Sequence, residues 1–286
     1  MSLFWWKART GLALPLGVAL VLGILGCGAD QYETRLKESA KYYAFLEQIE
    51  LNLAPKWSDN AAVEFIRVPK QFQPIPAPVP VKNEAGETEV PPDVRQPDYL
   101  NLVFPSNQLI GAWEAPFNVD TSDGSTDVRK GYIYVLSNYW MFLGEDPSLA
   151  LKFTGGIVQL VGDALDDHIP PDKLENPEIG YFPKRGQYMP EVAYSVFTYQ
   201  PKPITLRNND RETTVNYTFT MYARQNGNVQ AIVLVALPDR ISSQEKLTDR
   251  VRMMLENFRV NKTEPRGGTQ GGSGGGGPAQ NNSNPF

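Results

Sequence analysis

His168 is the only histidine of the chain, and it sits beside Asp163, Asp166 and Asp167, just ahead of Pro170-Pro171 and Asp172. Carboxylates next to one imidazole suit a divalent cation, which makes Asp163, Asp166, Asp167 and His168 the metal candidates. Solvated acids leading into a Pro-Pro turn account for the same run, and both readings stay open. A single histidine leaves little for a Ser-His relay or a multi-histidine zinc site. Asp120, Asp123 and Asp127 flank Gly124, but this spacing misses the alternating acids of a calcium loop and has no closing glutamate. The residue types are those a turn needs. Gly155-Gly156 precedes an apolar stretch without either phosphate-binding glycine pattern, and no G-x-S-x-G is present. The chain therefore reads as non-enzymatic and as free of any catalytic residue. A small-molecule or divalent-metal binding module is the alternative reading.

The one thiol, Cys27, closes an apolar run from Gly11 to Gly26 that follows Lys7 and Arg9. Pro15, Gly17 and Gly23 interrupt the run, and it falls short of the roughly 20 residues of a membrane span. A basic start, an apolar middle and small residues at a cut have the form of a secretory signal. The end of the run, Ile24-Leu25-Gly26-Cys27, resembles the lipobox of bacterial envelope lipoproteins. That resemblance implies cleavage of residues 1–26, diacylation of Cys27 and acylation of its new amine. The product would be an extracytoplasmic, membrane-anchored protein with no cofactor beyond that lipid. Stable anchoring takes two or more chains at about 0.8 kcal/mol per buried methylene, and lipoprotein modification supplies them. An uncleaved anchor helix is the alternative.

With Cys27 lipidated, the remainder has no thiol for disulfides, thiolate metal sites or nucleophilic chemistry. A chain of 286 residues that is 41% hydrophobic can build a core without crosslinks. Its net charge is −5, and cleavage would remove Lys7 and Arg9 and no acid. Nucleic acid and anionic headgroups, which are bound by Lys/Arg clusters, are not expected partners. An envelope protein is.

The elements follow from periodicity. Residues 27–56 are expected to hold one helix, opened by a capping box at Asp30 and Glu33, with Tyr32, Leu36, Tyr43, Leu46 and Leu53 on a stripe and Phe45 and Ile49 beside it. It reads as a stalk or as a helix docking on its own domain. Residues 57–98 carry Pro69, Pro74, Pro76, Pro78, Pro80, Pro91, Pro92 and Pro97 and read as a stiff linker or loop. Strands are expected at 100–104, 109–117, 132–141, 192–199, 214–224 and 229–237, with a helix near 157–166. Asn226-Gly227 marks a tight hairpin, and the apolar run 231–237 marks a central strand. Ser242 and Glu245 are expected to cap a helix with Leu247, Val251, Met254, Leu255 and Phe258 on its buried face and Lys246, Asp249, Arg250 and Arg252 in solvent. Residues 261–286, rich in glycine and asparagine, read as a tail with little to bury. Trp113, Tyr132, Tyr134, Tyr139, Trp140 and Phe142 form the densest aromatic group. Core packing is their default, and Trp113, Tyr132, Tyr139 and Trp140 become a partner surface if several are exposed together.

Strand, hairpin, apolar strand, Pro238 and a helix ending Leu255-Glu256-Asn257-Phe258-Arg259-Val260 resemble the C-terminal half of the PsbP/DcrB-like fold over residues 190–260. The resemblance implies an α+β body over 99–260, an α/β/α sandwich with a mainly antiparallel sheet. Lipobox, tyrosine-rich first helix and this body together resemble envelope lipoproteins of planctomycete-type bacteria. Members of the fold family include photosystem subunits, transport-associated periplasmic proteins and a GTPase partner, so fold leaves function open.

Overall fold

The computed structural model describes residues 13–265 apart from 60, 85, 121–125, 145, 184–188, 209, 210, 243 and 244, with side chains from residue 30 onward except at 206–208 and 211–213. A long helix α1 (Ala13–Asn52) leads into short strands β1 (Val63–Phe65), β2 (Gln73–Pro74), β3 (Val81–Lys82) and β4 (Thr88–Glu89). The hairpin β5 (Leu109–Asp120) and β6 (Thr126–Ser137) follows, then helices α2 (Phe153–Leu165) and α3 (Pro171–Glu175). Strands β7 (Glu178–Phe182), β8 (Val192–Tyr199), β9 (Ile204–Asn208), β10 (Arg211–Val215), β11 (Tyr217–Asn226) and β12 (Val229–Pro238) come next. Helix α4 (Leu247–Glu256) and strand β13 (Arg259–Val260) complete the elements of the described residues.

Seven strands form one sheet in the order β2-β5-β6-β12-β11-β8-β7, every neighbouring pair antiparallel. Alternation sorts its side chains to two faces. Trp113, Ala115 and Phe117 of β5 and Val229, Ala231, Val233 and Val235 of β12 face one core, closed by Ile49, Leu53 and Phe72 and by Val251, Met254 and Leu255 of α4. Tyr132, Tyr134, Leu136, Ile232 and Leu234 face the other core, closed by Phe153, Ile157, Val158 and Val161 of α2. The body is α+β, with helices on both faces of an antiparallel sheet. β12 is the middle strand and is buried on both faces, which is why it reads as a continuous apolar run.

Several expectations shift, each for a physical reason. Residues 57–98 are not a separate linker. Ala62, Val63, Ile66, Val68 and Phe72 are buried in the first core, and β2 extends the sheet, pairing Gln73 with Glu114 and Pro74 with Trp113. Leu100, Leu102 and Phe104 are buried and alternate with exposed Asn101 and Val103, but this stretch lies over the second core unpaired instead of forming a strand. β6 ends at Ser137, and Tyr139–Leu143 turns into a 3-10 helix. The expected strand at 214–224 is two strands, β10 and β11, broken at Asn216. The hairpin turn is Gly227-Asn228, since Asn226 pairs with Val229; only Gly227, at φ +64°, needs glycine's freedom.

Neither capping box forms. α1 is already helical before Asp30, and α4 starts after Lys246, at φ +46°, with no side-chain cap. Arg250 is not solvated: it donates to Asn52 Oδ1 at 3.2 Å and Gln71 Oε1 at 2.7 Å, tying α4 to the end of α1. The chain also stays packed past 260, with Asn261 donating to the carbonyls of Ala61 and Ala62 and Asn228 donating to Glu264. The glycine-rich tail from 266 lies outside the described residues, as do Asp123 and the signal-like residues 1–12; Cys27 lies within α1.

Candidate functional sites

The metal candidates do not converge. His168 Nε2 lies 2.9 Å from Asp163 Oδ1, Asp166 binds Lys202 Nζ at 2.8 Å, and Asp167 accepts from the Gln200 amide at 2.6 Å. Asp166 caps the end of α2 in a left-handed conformation, and the Lys202 ammonium holds its carboxyl below the usual range. Each acid has its own partner, and among the described residues no group of three or more His, Cys, Asp or Glu gathers as a metal site. Asp120 closes the β5–β6 hairpin opposite Thr126, and Asp127 pairs with Arg129.

The aromatic group divides between the two faces of the sheet. Trp113 is buried in the first core, edge-on to Trp57 at 5.1 Å. Tyr132 is buried in the second core, its hydroxyl 2.6 Å from that of Tyr99. Tyr139 is half-buried, and Trp140 stays at the surface, 43% exposed. Trp140 has company that the sequence did not flag: Leu143, Leu149 and Leu151 are also about half exposed, on this 3-10 turn and the next, Pro147–Lys152. The two turns pack together and are fixed to the sheet by Asn138, which donates to Ala150 O at 2.9 Å and Asn228 O at 3.0 Å. The result is an apolar rim at the end of the sheet that carries the β11–β12 turn.

A groove of about 760 Å³ lies between α4 and the sheet. On β11, Tyr217, Phe219 and Met221 point into the second core, and Thr218, Thr220 and Tyr222 point the other way, half-buried, to form the groove floor with Phe182. Thr218 Oγ1 donates to Asp239 Oδ1 at 2.9 Å. Burial, and then the charge of Glu178, raise the Tyr222 hydroxyl above its usual pKa. On the α4 wall, Arg252 lies 3.5 Å from Asp249 and 3.7 Å from Glu256, and its buried Nε has no hydrogen-bond partner among the described residues. Burial raises the Glu256 carboxyl more than Arg252 lowers it. Hydroxyls, an aromatic floor and charges of both signs suit a polar-ended organic ligand better than a bare cation. The strand alternation marked Thr218, Thr220 and Tyr222 only as the polar face of β11; that α4 leaves this face partly uncovered is a tertiary fact.

Both cores hold buried tyrosines, Tyr194 in the first and Tyr132 and Tyr134 in the second, and this sets an alkaline limit. Desolvation pushes Tyr132 and Tyr194 up to about 12 and Tyr134 well above its ordinary value. A tyrosine whose folded pKa is raised stays protonated in the folded chain while its unfolded counterpart ionises above about 10. Its stabilising contribution is complete below that pH and is lost as pH rises through the folded value. Thermal midpoints should therefore be unaffected by tyrosine ionisation at neutral pH and fall above about pH 10, with tyrosinate absorbance appearing together with unfolding. Tyrosinate signal from all of these residues in a still-folded protein would contradict this.

Comparison with protein-family models, curated proteins and solved structures finds no match.

Proposed function

We propose that this protein is an extracytoplasmic lipoprotein, anchored through Cys27, whose body is a non-enzymatic protein-binding or assembly module. The observation that carries this reading is the form of α1. Every residue from Asp30 to Ala44 is exposed, and Phe45, Leu46, Ile49 and Asn52 turn toward the body before Leu53 is buried. Fifteen exposed helical residues make a spacer of about 22 Å between Cys27 and the body. Such a spacer is of use to a tethered domain that must reach a partner. The rim of Trp140, Leu143, Leu149 and Leu151 supports the binding part of the reading, since clustered exposed apolar side chains mark interaction surfaces. The antiparallel sheet with helices on both faces, ending in an amphipathic helix after β12, supports grouping the body with PsbP/DcrB-like domains.

Cys27→Ala should move the protein from the membrane fraction to the soluble fraction, or leave an uncut precursor. The wild-type mass should exceed that of residues 27–286 by the acyl groups. A wild-type chain of unmodified mass, fractionating like the variant, rejects the anchor. For the binding surface, a photocrosslinker at position 140 should give a recurrent adduct that Leu149→Glu abolishes; an adduct pattern indifferent to Leu149 rejects the rim.

The groove favours a second reading, a module for a small organic ligand. Filling it with Thr220→Trp should abolish any ligand-induced rise in melting temperature while leaving the apo midpoint close to wild type. Equal ligand shifts in the two proteins would move that ligand elsewhere.

A further inference from the structure

The exposed part of α1 is not uniformly polar. Tyr32, Leu36 and Tyr43 are 65%, 51% and 68% exposed. At 100° per residue they fall within about 40° of one another. Ser39 completes the alternating three- and four-residue spacing of a two-helix seam. Of the side chains by which α1 meets the body, Phe45 and Ile49 point roughly 150° and 110° away around the helix, while Leu46 and Leu53 continue the stripe itself. The body takes up the stripe from Leu46 to Leu53 and leaves the part from Tyr32 to Tyr43 uncovered.

The flanks of the seam say which partner fits. One flank carries Glu33, Ala40 and Glu47, and the other carries Arg35 and Tyr42 before it reaches the buried Ile49. Two copies packed parallel bring the acidic flank of each against the Arg35 flank of the other. Packed antiparallel, each flank meets itself, so that Glu33 and Glu47 face their own kind. We propose that the seam pairs with the same seam of a second copy of this chain, forming a parallel two-helix stalk. The parallel sense also suits two chains anchored at Cys27 in one membrane, where tethering raises their effective concentration. That last argument rests on the anchoring reading; the seam and its flanks do not.

The test is disulfide trapping in the full chain, in native membranes, with one cysteine added at a time. Leu36→Cys and Ser39→Cys should give a covalent dimer on mild oxidation. Lys37→Cys and Lys41→Cys, on the far side of the helix, should remain monomeric. Adding Tyr32→Glu and Tyr43→Glu to the Ser39→Cys chain should abolish its dimer while the melting of the body is unchanged. Equal trapping at all four positions, or none at 36 and 39, overturns the proposal. Wild type in parallel separates this from failure of the anchor: a soluble wild type with a reactive Cys27 thiol rejects anchoring. The four variants, compared in a Cys27→Ala background at high protein concentration, then judge the seam alone.

Discussion

Asn138→Ala destabilises the protein by about 3–5 kcal/mol, because it leaves several buried polar groups unpaired at once. Asn138 is fully buried at the end of β6. Its amide donates to Ala150 O and Asn228 O, and its oxygen accepts from the Gln230 amide at 2.8 Å. Gln230 continues the network: its Oε1 accepts from the amide and the hydroxyl of Thr154 at 3.1 and 2.8 Å, and its Nε2 donates to Leu151 O at 3.0 Å. Ser137 Oγ donates to Gln230 O at 2.9 Å. One side chain thus joins the sheet, the β11–β12 turn and the 3-10 turn that leads into α2. Each buried group left without a partner costs about 1–3 kcal/mol. Urea unfolding should show a lower midpoint with the slope unchanged. A loss under about 1 kcal/mol would mean that water or a shifted neighbour replaces the side chain. The rim of Trp140 and Leu149 is built on this network, so the variant should also lose any activity of the rim.

Trp113→Ala should cost about 3–5 kcal/mol, the usual range for deleting a large buried aromatic side chain. The Trp113 ring lies across Gly111 and meets Trp57 edge-on. A Cβ at Gly111 would come 2.6 Å from Trp113 Cη2, 2.8 Å from its Cζ3 and 3.1 Å from Trp57 Cη2. Gly111→Ala therefore probes the same pair from the opposite direction, by overpacking, and should cost about 1–3 kcal/mol. Both variants should weaken the near-ultraviolet circular dichroism of the tryptophan pair. A full-strength signal in Gly111→Ala would mean that the backbone, not the rings, gives way.

What could be read from the sequence follows from the range of the forces involved. β8, β12 and α4 carry periodic apolar patterns whose burial depends on local geometry alone, and they lie where the periodicity puts them. The pattern at 100–104 reads as a strand; Leu100, Leu102 and Phe104 do alternate as buried side chains, but burial does not require a hydrogen-bonded neighbour strand. The proline-rich stretch was misleading for a similar reason. Proline forbids helix, yet Val68 and Phe72, on either side of Pro69, are apolar enough to join the core. Composition also hid the division of α1: its stripe mixes residues that dock, such as Leu53, with residues that face water, such as Tyr43. The groove and the Trp140 rim depend on what α4 and the 3-10 turns leave uncovered, and nothing in the local pattern specifies that.

The middle strand β12 has a consequence for the order in which the protein is made. Its neighbours are β6, about ninety residues earlier, and β11, just before it. The strand that follows α4, β13, pairs with β1 near the start of the body. Until residue 238 has been synthesised, the β5–β6 hairpin and the β7, β8 and β11 strands have no common sheet; until residue 260, one core lacks its cover. A nascent chain short of that length cannot reach a stable intermediate of native form, and long-range pairing of this kind is slow to complete. Ribosome-held chains should therefore remain protease-sensitive almost to their full length. That delay keeps the polypeptide a thread for most of its synthesis, the state in which a chain can be passed through a narrow translocation pore.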